Sequence, residues 1–406
     1  MDGRFDELLN PRVKKIRASE IRELLKLVKR SKDIISLAGG LPDPRYFPKE
    51  ELAEIAREVI IKYGEYSLQY SETKGIYEVR KALSDFLYKT KGFKPDPEDI
   101  IVTSGSQEGI HMLAKAFVTP GDKVITESPT YLAALGAFRL AGADVVGIKI
   151  DDHGMRTIAL EDVLKRLHAL DIKPKFIYTI PVAQNPGGVT MSLDRKKHLL
   201  ELASKYDLLV IEDDPYSFFV FDENADITSL KALDKEDRVI YMSTASKILA
   251  PGIRLGWLVT PKDLSRRIEL LKQYIDLHSP TLNQYILAEA IKTGLIERHV
   301  RRIAKVYKEK RDAMVKALDE HFPEYTWYSR PIGGFFVFTY VFKEGFDARE
   351  LMDLALKKYK VAYVPGQGFH PDGTGANSMR LNYSYPTVEQ IWEGVRRLSQ
   401  MIKEVS

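Results

Sequence analysis

A chain of 406 residues, 44% hydrophobic and 29% charged, is too long for one ordinary hydrophobic core and carries enough apolar side chains to fill two. Its formal charge of +4 is small and both signs are mixed along the sequence, which argues against nucleic acid as the main partner. The absence of cysteine excludes disulfides, thiolate metal sites and a cysteine nucleophile, and together with the high charge content it suits a heat-adapted source.

Residues 1–15 carry several charges and no apolar core of signal-peptide length, so a cytoplasmic protein is the expectation. Within 19–30, Ser19 reads as a helix cap before an Ile/Leu stripe, and this segment is expected to pack against the second of two domains. From about residue 100 to 258, short β-rich runs at 100–103, 123–126, 176–179 and 208–211 alternate with amphipathic, helix-like stretches. Such alternation predicts an α/β unit with a mostly parallel sheet covered by helices, and ligands in that architecture sit at the carboxyl ends of the strands.

Beyond Pro261 the pattern turns to long helical segments, among them 297–319, followed by a few strands and a closing helix at 386–403. A second, smaller α+β domain is the expectation. The division read from the sequence is an N-terminal segment 1–45 packing with the small domain, a large domain 46–290 and a small domain 291–406. The strongest apolar run, 335–342, is far shorter than the ~20 residues of a membrane helix, and its aromatic and β-branched character predicts a buried strand. No membrane partner is expected. Arg298, Arg301, Arg302, Lys305 and Lys308 could form a polyanion site, but Glu297 and Glu309 interrupt the run and a solvated helix face is its commoner origin.

Three short segments carry chemistry. Ser104-Gly105-Ser106-Gln107 follows the 100–103 run and opens a predicted helix ending near Val118, so free N–H groups and a positive dipole end at Ser106 would stabilise a phosphate. A Ser-Gly pair before a helix is more often an ordinary turn and cap. Ile211-Glu212-Asp213-Asp214-Pro215-Tyr216 puts acids at the end of an apolar strand, where a carboxylate is costly to bury unless a cation or donor meets it. Asp213 reads either as a partner for something positive or as part of a solvated turn closed by Pro215. In Ser243-Thr244-Ala245-Ser246-Lys247 and Pro251-Gly252-Ile253-Arg254-Leu255-Gly256-Trp257, hydroxyls bracket one lysine and an arginine lies seven residues on. Hydroxyls with arginine suit a phosphate; lysine suits a carbonyl, although a loop lysine is most often simply solvated.

This last segment resembles the lysine segment of class I aminotransferases, the fold type I pyridoxal-phosphate enzymes. The likeness extends, in family order, through Ser36-Leu37-Ala38-Gly39-Gly40-Leu41-Pro42, Leu68-Gln69-Tyr70, the Ser104 turn, Gln184-Asn185-Pro186, residues 213–216 and Met379-Arg380-Leu381-Asn382. Within the class it is nearest to the branch containing kynurenine and 2-aminoadipate aminotransferases and their archaeal relatives, some acting on aromatic amino acids or on alanine and glyoxylate. The resemblance implies the fold type I architecture, with 46–290 holding pyridoxal 5'-phosphate, no metal, and amino acids and 2-oxo acids as substrates.

Residue by residue, it makes Lys247 the Schiff-base lysine that also moves the substrate proton, and pairs Asp213 with the pyridine nitrogen so that the ring can accept electrons. Asn185 and Tyr216 would bond the phenolic oxygen of the ring, and Tyr131 would stack on its face. Phosphate would be held by Ser106, Gln107, Thr244, Ser246 and Arg254, with Tyr70 arriving from a neighbouring subunit of a homodimer with shared active sites. Arg380 would fork onto the substrate α-carboxylate, with a backbone contact from Gly40, and Ser19 and Arg22 would face the substrate side chain. Two positions depart from the family pattern: Thr244 stands where many members have serine, keeping the hydroxyl, and Gly187 replaces the alanine, serine or threonine common after Asn-Pro. Transamination by a ping-pong route is the leading expectation. The alternatives are β-elimination or decarboxylation on the same scaffold, and a ligand-sensing, aminotransferase-like domain of a regulator.

Overall fold

The computed structural model describes residues 5–14, 24, 28, 31, 33–222 and 225–405. The strands in chain order begin with β1 (Ile35–Ser36), β2 (Ile100–Thr103), β3 (Lys123–Ser128), β4 (Asp144–Asp151), β5 (Gly154–Met155), β6 (Phe176–Thr179), β7 (Leu209–Asp213), β8 (Val239–Thr244) and β9 (Gly256–Val259). Eight of these form one sheet in the order β2-β9-β8-β7-β6-β3-β4-β5. Its centre, β4, β3, β6, β7 and β8, is parallel throughout, and β9 runs antiparallel between β8 and β2. The expected, mostly parallel sheet is therefore present. Every residue of β2, β6, β8 and β9 is buried, which is why these runs are apolar without alternation: helices cover both faces.

The direction of the strands puts the ends of β2, β3, β6, β7 and β8 along one edge, where each passes into a loop or helix bearing a polar side chain of interest. A second sheet follows, from β10 (Thr326–Tyr328), β11 (Phe336–Val341), β12 (Val361–Ala362), β13 (Val364–Pro365) and β14 (Ser378–Asn382). Here β10-β11-β14-β13 are antiparallel neighbours, while β12 pairs in parallel with β1, tying the chain's early residues to its late ones.

Two helices back this smaller sheet. Leu295–His321 belongs to both cores: Leu295, Ile296, Ile303 and Tyr307 pack with the large sheet, and Ala313, Met314, Ala317 and Leu318 with the small one. Val388–Glu404 starts with a capping box, in which Thr387 accepts from Gln390 N and the Gln390 side chain accepts from Thr387 N. Its Ile391, Val395, Leu398, Met401 and Ile402 stripe is buried. Both helices were expected: the first extends two residues further at each end than the 297–319 read from the sequence, and the second starts two residues later and ends one later than 386–403. Arg298, Arg301, Arg302, Lys305 and Lys308 are all exposed, as a solvated face requires. Among the described residues no helix is long and apolar enough to cross a membrane, and no group of histidine and acidic side chains could hold a metal ion.

Candidate active site

The turn after β2 leads directly into the helix Ser106–Phe117. Gly105 stands at φ +80°, and a Cβ there would lie 2.5 Å from Arg254 Nη2; one on Gly256 would lie 2.6 Å from Ser106 N. These two glycines let the helix start press against β9 and the lysine segment. Arg254 donates to Ser104 O at 3.2 Å and to Ser246 Oγ at 3.4 Å. Thr244 caps the short helix Ala245–Ile248 by accepting from Ser246 N at 3.1 Å, and donates to Ser246 Oγ at 3.0 Å. Ser106, Thr244, Ser246 and Arg254 thus close around one cup rich in hydrogen-bond donors. Gln107 joins its rim, accepting from the Tyr131 hydroxyl at 3.4 Å.

Lys247 follows β8 and is half-buried, its Nζ donating to Gly40 O at 3.0 Å. Loss of hydration, then the charges of Arg380 and Arg254, lower its pKa from 10.5 to about 8, with Asp213 opposing them only in part. Asp213 ends β7, 3% exposed. Its Oδ2 accepts from the Tyr178 hydroxyl at 2.6 Å, whereas Oδ1 is buried and has no partner. Burial raises its pKa from 3.8 to about 7. A carboxylate so placed would be ionised most favourably when a cationic N–H reaches the empty oxygen.

Asn185 links the remaining groups. Its amide donates to the Tyr216 hydroxyl at 3.5 Å, and its Oδ1 accepts from Arg380 Nη1 at 2.9 Å. Burial raises the Tyr216 phenol pKa. Arg380, projecting from β14, also donates from Nη2 to Ala38 O at 3.1 Å, and lies 4.2 Å from the Phe336 ring centre and 5.1 Å from that of Phe369. Its Nε is buried without a partner, and burial lowers its pKa to about 10. Gly40 belongs here by contact: a Cβ on it would lie 3.2 Å from Phe336 and 3.6 Å from Arg380 Nη2.

The expected site residues from 40 to 380 therefore meet at one edge, with one exception. Tyr70 is 78% exposed on the outer surface, edge-on to His278 at 5.7 Å between ring centres. Ser19 and Arg22 lie outside the described residues. Gly187 has a packing reason for departing from the family pattern, since a Cβ there would lie 2.7 Å from Ile150 Cδ1 and 2.8 Å from Gln184 Oε1. Sequence reasoning missed Tyr178, the Phe336 and Phe369 rings, and Glu127, a fully buried acid at the end of β3. Glu127 carried the same signal that singled out Asp213, an acid closing an apolar strand.

The residues present fit pyridoxal phosphate: the orphaned Asp213 oxygen suits a protonated ring nitrogen, the partly neutral amine of Lys247 suits an aldehyde, and the cup suits a phosphate. The sequence matches the family model for aminotransferase class I and II over residues 32–398. An aromatic-amino-acid aminotransferase of Thermococcus litoralis is 43% identical over 98% of this chain and 95% of that protein. The crystal structure of a Pyrococcus horikoshii kynurenine aminotransferase in complex with PMP superposes with a TM-score of 0.95 at 44% identity, covering 99% of this chain and 98% of that one. That of an alpha-aminoadipate aminotransferase from Thermus thermophilus, complexed with N-(5'-phosphopyridoxyl)-L-leucine, gives 0.90 at 38% identity over 99% and 98%. Likeness of this extent, joined to an edge built for an aldehyde bearing a phosphate, leads to one conclusion: the chain belongs to the class I and II aminotransferases and is a pyridoxal-phosphate-dependent enzyme.

Proposed function

We propose that the chain moves the α-amino group of an aromatic amino acid, 2-aminoadipate, glutamate or alanine to 2-oxoglutarate, glyoxylate or pyruvate, in two half-reactions at one site. The observation that carries this reading is the juxtaposition of half-buried Lys247, with its pKa brought down to about 8, and buried Arg380, a guanidinium with no carboxylate partner among the described residues. The aromatic, kynurenine and aminoadipate relatives support the range of donors. Pyridoxal phosphate, when bound, supplies an aldehyde on which amines exchange and a ring that takes up the electron pair of the substrate Cα–H bond.

In this reading Ser106, Gln107, Thr244, Ser246 and Arg254 hold the phosphate, Tyr131 covers one ring face, and Asn185 and Tyr216 meet the ring hydroxyl. Asp213 Oδ1 accepts from the ring nitrogen. Arg380 and Gly40 bind the substrate carboxylate, Ser19 and Arg22 face its side chain, and Lys247 Nζ carries the proton released at the substrate carbon. The reading includes a cytoplasmic homodimer in which Tyr70 completes the partner's phosphate site; exposed Leu68 and Tyr70 beside Pro280 and Leu282 support such a contact. It also takes 46–290 as the cofactor-holding domain and 291–406, joined by 1–45, as the smaller one.

Incubation with a single amino donor should leave pyridoxamine phosphate on the protein, seen by mass spectrometry. Release of ammonia and pyruvate from that incubation, with no pyridoxamine phosphate, would overturn the proposal in favour of a lyase.

Asp213 gives a separate expectation. Between pH 4 and 7 the folded, cofactor-free protein keeps a proton on Asp213 that the unfolded chain has released, so stability falls as the pH rises through that window. Glu127 and Glu212, each also raised to about 7 chiefly by burial, act in the same direction. Buried His299, lowered to about 4, acts oppositely over the same window, so the Asp213 contribution is read as a difference: in thermal melts of the cofactor-free protein, stability should fall less, or rise more, with pH in Asp213→Asn than in the wild type. An identical slope in Asp213→Asn would contradict it.

A further inference from the structure

Glu127 is 1% exposed, and its hydrogen-bond partners among the described residues are all neutral. Its Oε1 accepts from Thr179 Oγ1 at 2.6 Å, and its Oε2 accepts from Gln184 Nε2 at 2.9 Å and from Ile180 N at 3.3 Å. Gln184 Nε2 donates as well to Pro129 O at 2.8 Å, and Gln184 Oε1 accepts from Gly187 N at 2.6 Å. These partners belong to two loops: 179–187, which presents Asn185, and 129–131, which presents Tyr131.

The first loop is also held by Arg380 Nη1 donating to Asn185 Oδ1 at 2.9 Å and by Gly188 N donating to Gln184 O at 2.6 Å. Ala183 is left-handed at φ 48°, a conformation that a non-glycine residue keeps only where its surroundings enforce it. Gln184 N bonds Val189 O and Ala183 N bonds Thr190 Oγ1 at the neck; the side chain of Gln184 is what joins this loop to the 129–131 segment, and Glu127 is what Gln184 is braced against.

We propose that Glu127, acting through Gln184, is a positioning residue that sets Asn185 in register with Tyr131, and so fixes the hydrogen bond Asn185 makes to the cofactor relative to the ring-covering tyrosine. The inference rests on the roles proposed above for Asn185 and Tyr131. Glutamine at 127 would turn an amide N–H₂ toward donors that need an acceptor; methionine at 184 would remove the brace and leave the carboxylate in place.

The test compares Glu127→Gln, Gln184→Met and Asn185→Ala with the wild type by two readouts: the pH midpoint of the bound cofactor's visible absorbance, and amide hydrogen exchange over 180–188 in cofactor-free protein. Glu127→Gln and Gln184→Met should both displace the midpoint by more than about half a unit, in the direction Asn185→Ala does. Both should lower kcat at least about tenfold, toward the order of 10² that a misplacement of roughly 1 Å costs, and both should speed exchange in that loop. A merely structural carboxylate would lower the melting temperature and leave the midpoint alone. If Asn185→Ala displaces the midpoint and the other two variants do not, the inference is overturned. If Asn185→Ala itself leaves the midpoint unchanged, the reading of Asn185 fails instead, and exchange in the cofactor-free protein still decides whether Glu127 holds the loop. Should Glu127→Gln not fold, Gln184→Met decides by the same readouts.

Discussion

Lys247→Ala should reduce transamination by at least about 10⁴-fold, the upper range for loss of a general acid–base group, with the loss of a covalent anchor added to it. The side chain is placed for both tasks. An amine with an ordinary pKa of 10.5 would be neutral in roughly one molecule per thousand at pH 7.5, whereas at about 8 roughly a quarter are neutral. Burial and the neighbouring Arg380 and Arg254 make that difference, and the short reach to Gly40 O keeps Nζ at the strand edge. Steady-state rates with saturating cofactor and donor test the loss. Borohydride reduction followed by peptide mass mapping tests the anchor: the wild type should gain the cofactor's mass on the peptide containing Lys247, and the variant should not. Full activity in the variant would sink the assignment.

Arg380→Lys should lower kcat/KM by about 30-fold to 5,000-fold, corresponding to the roughly 2–5 kcal/mol at stake when a buried, hydrogen-bonded charge pair loses its paired donors once substrate is present. Lysine keeps the charge but cannot span Asn185 Oδ1 and Ala38 O while offering a planar fork between the Phe336 and Phe369 rings. In the substrate-free protein the guanidinium is a buried cation whose polar partners among the described residues, Asn185 and Ala38, are neutral, and such a charge lowers stability. Arg380→Met should therefore melt no lower than the wild type, while its activity is lost. A kcat/KM in Arg380→Lys equal to that of the wild type would show that the carboxylate is bound elsewhere.

The parts of the fold that could be read in advance are those written in local periodicity. Runs such as 100–103 and 176–179 are apolar on both faces because helices cover both sides of the sheet, and the helices at 295–321 and 388–404 carry stripes that match one buried face. Lys247, Asp213 and the Ser104 turn were legible for a related reason. Each stands at or just beyond the carboxyl end of an apolar strand, where an α/β sheet keeps its ligands. Glu127 met that criterion too, standing directly after the run read at 123–126, and was not singled out; β3 continues to Ser128.

By itself the sequence determined which chemical groups stand at strand ends, and its motif order identified their family. Only the tertiary structure decided what those groups face. Lys247 and Gly40 are 207 residues apart, Arg380 and Asn185 are 195 apart, and Tyr178 meets Asp213 across neighbouring parallel strands. Those contacts, and the pKa displacements of Lys247, Asp213 and Arg380, arise because packing removes water and brings distant side chains within a few ångströms. Hydration is lost only when the layers close, so no local pattern of residues records it.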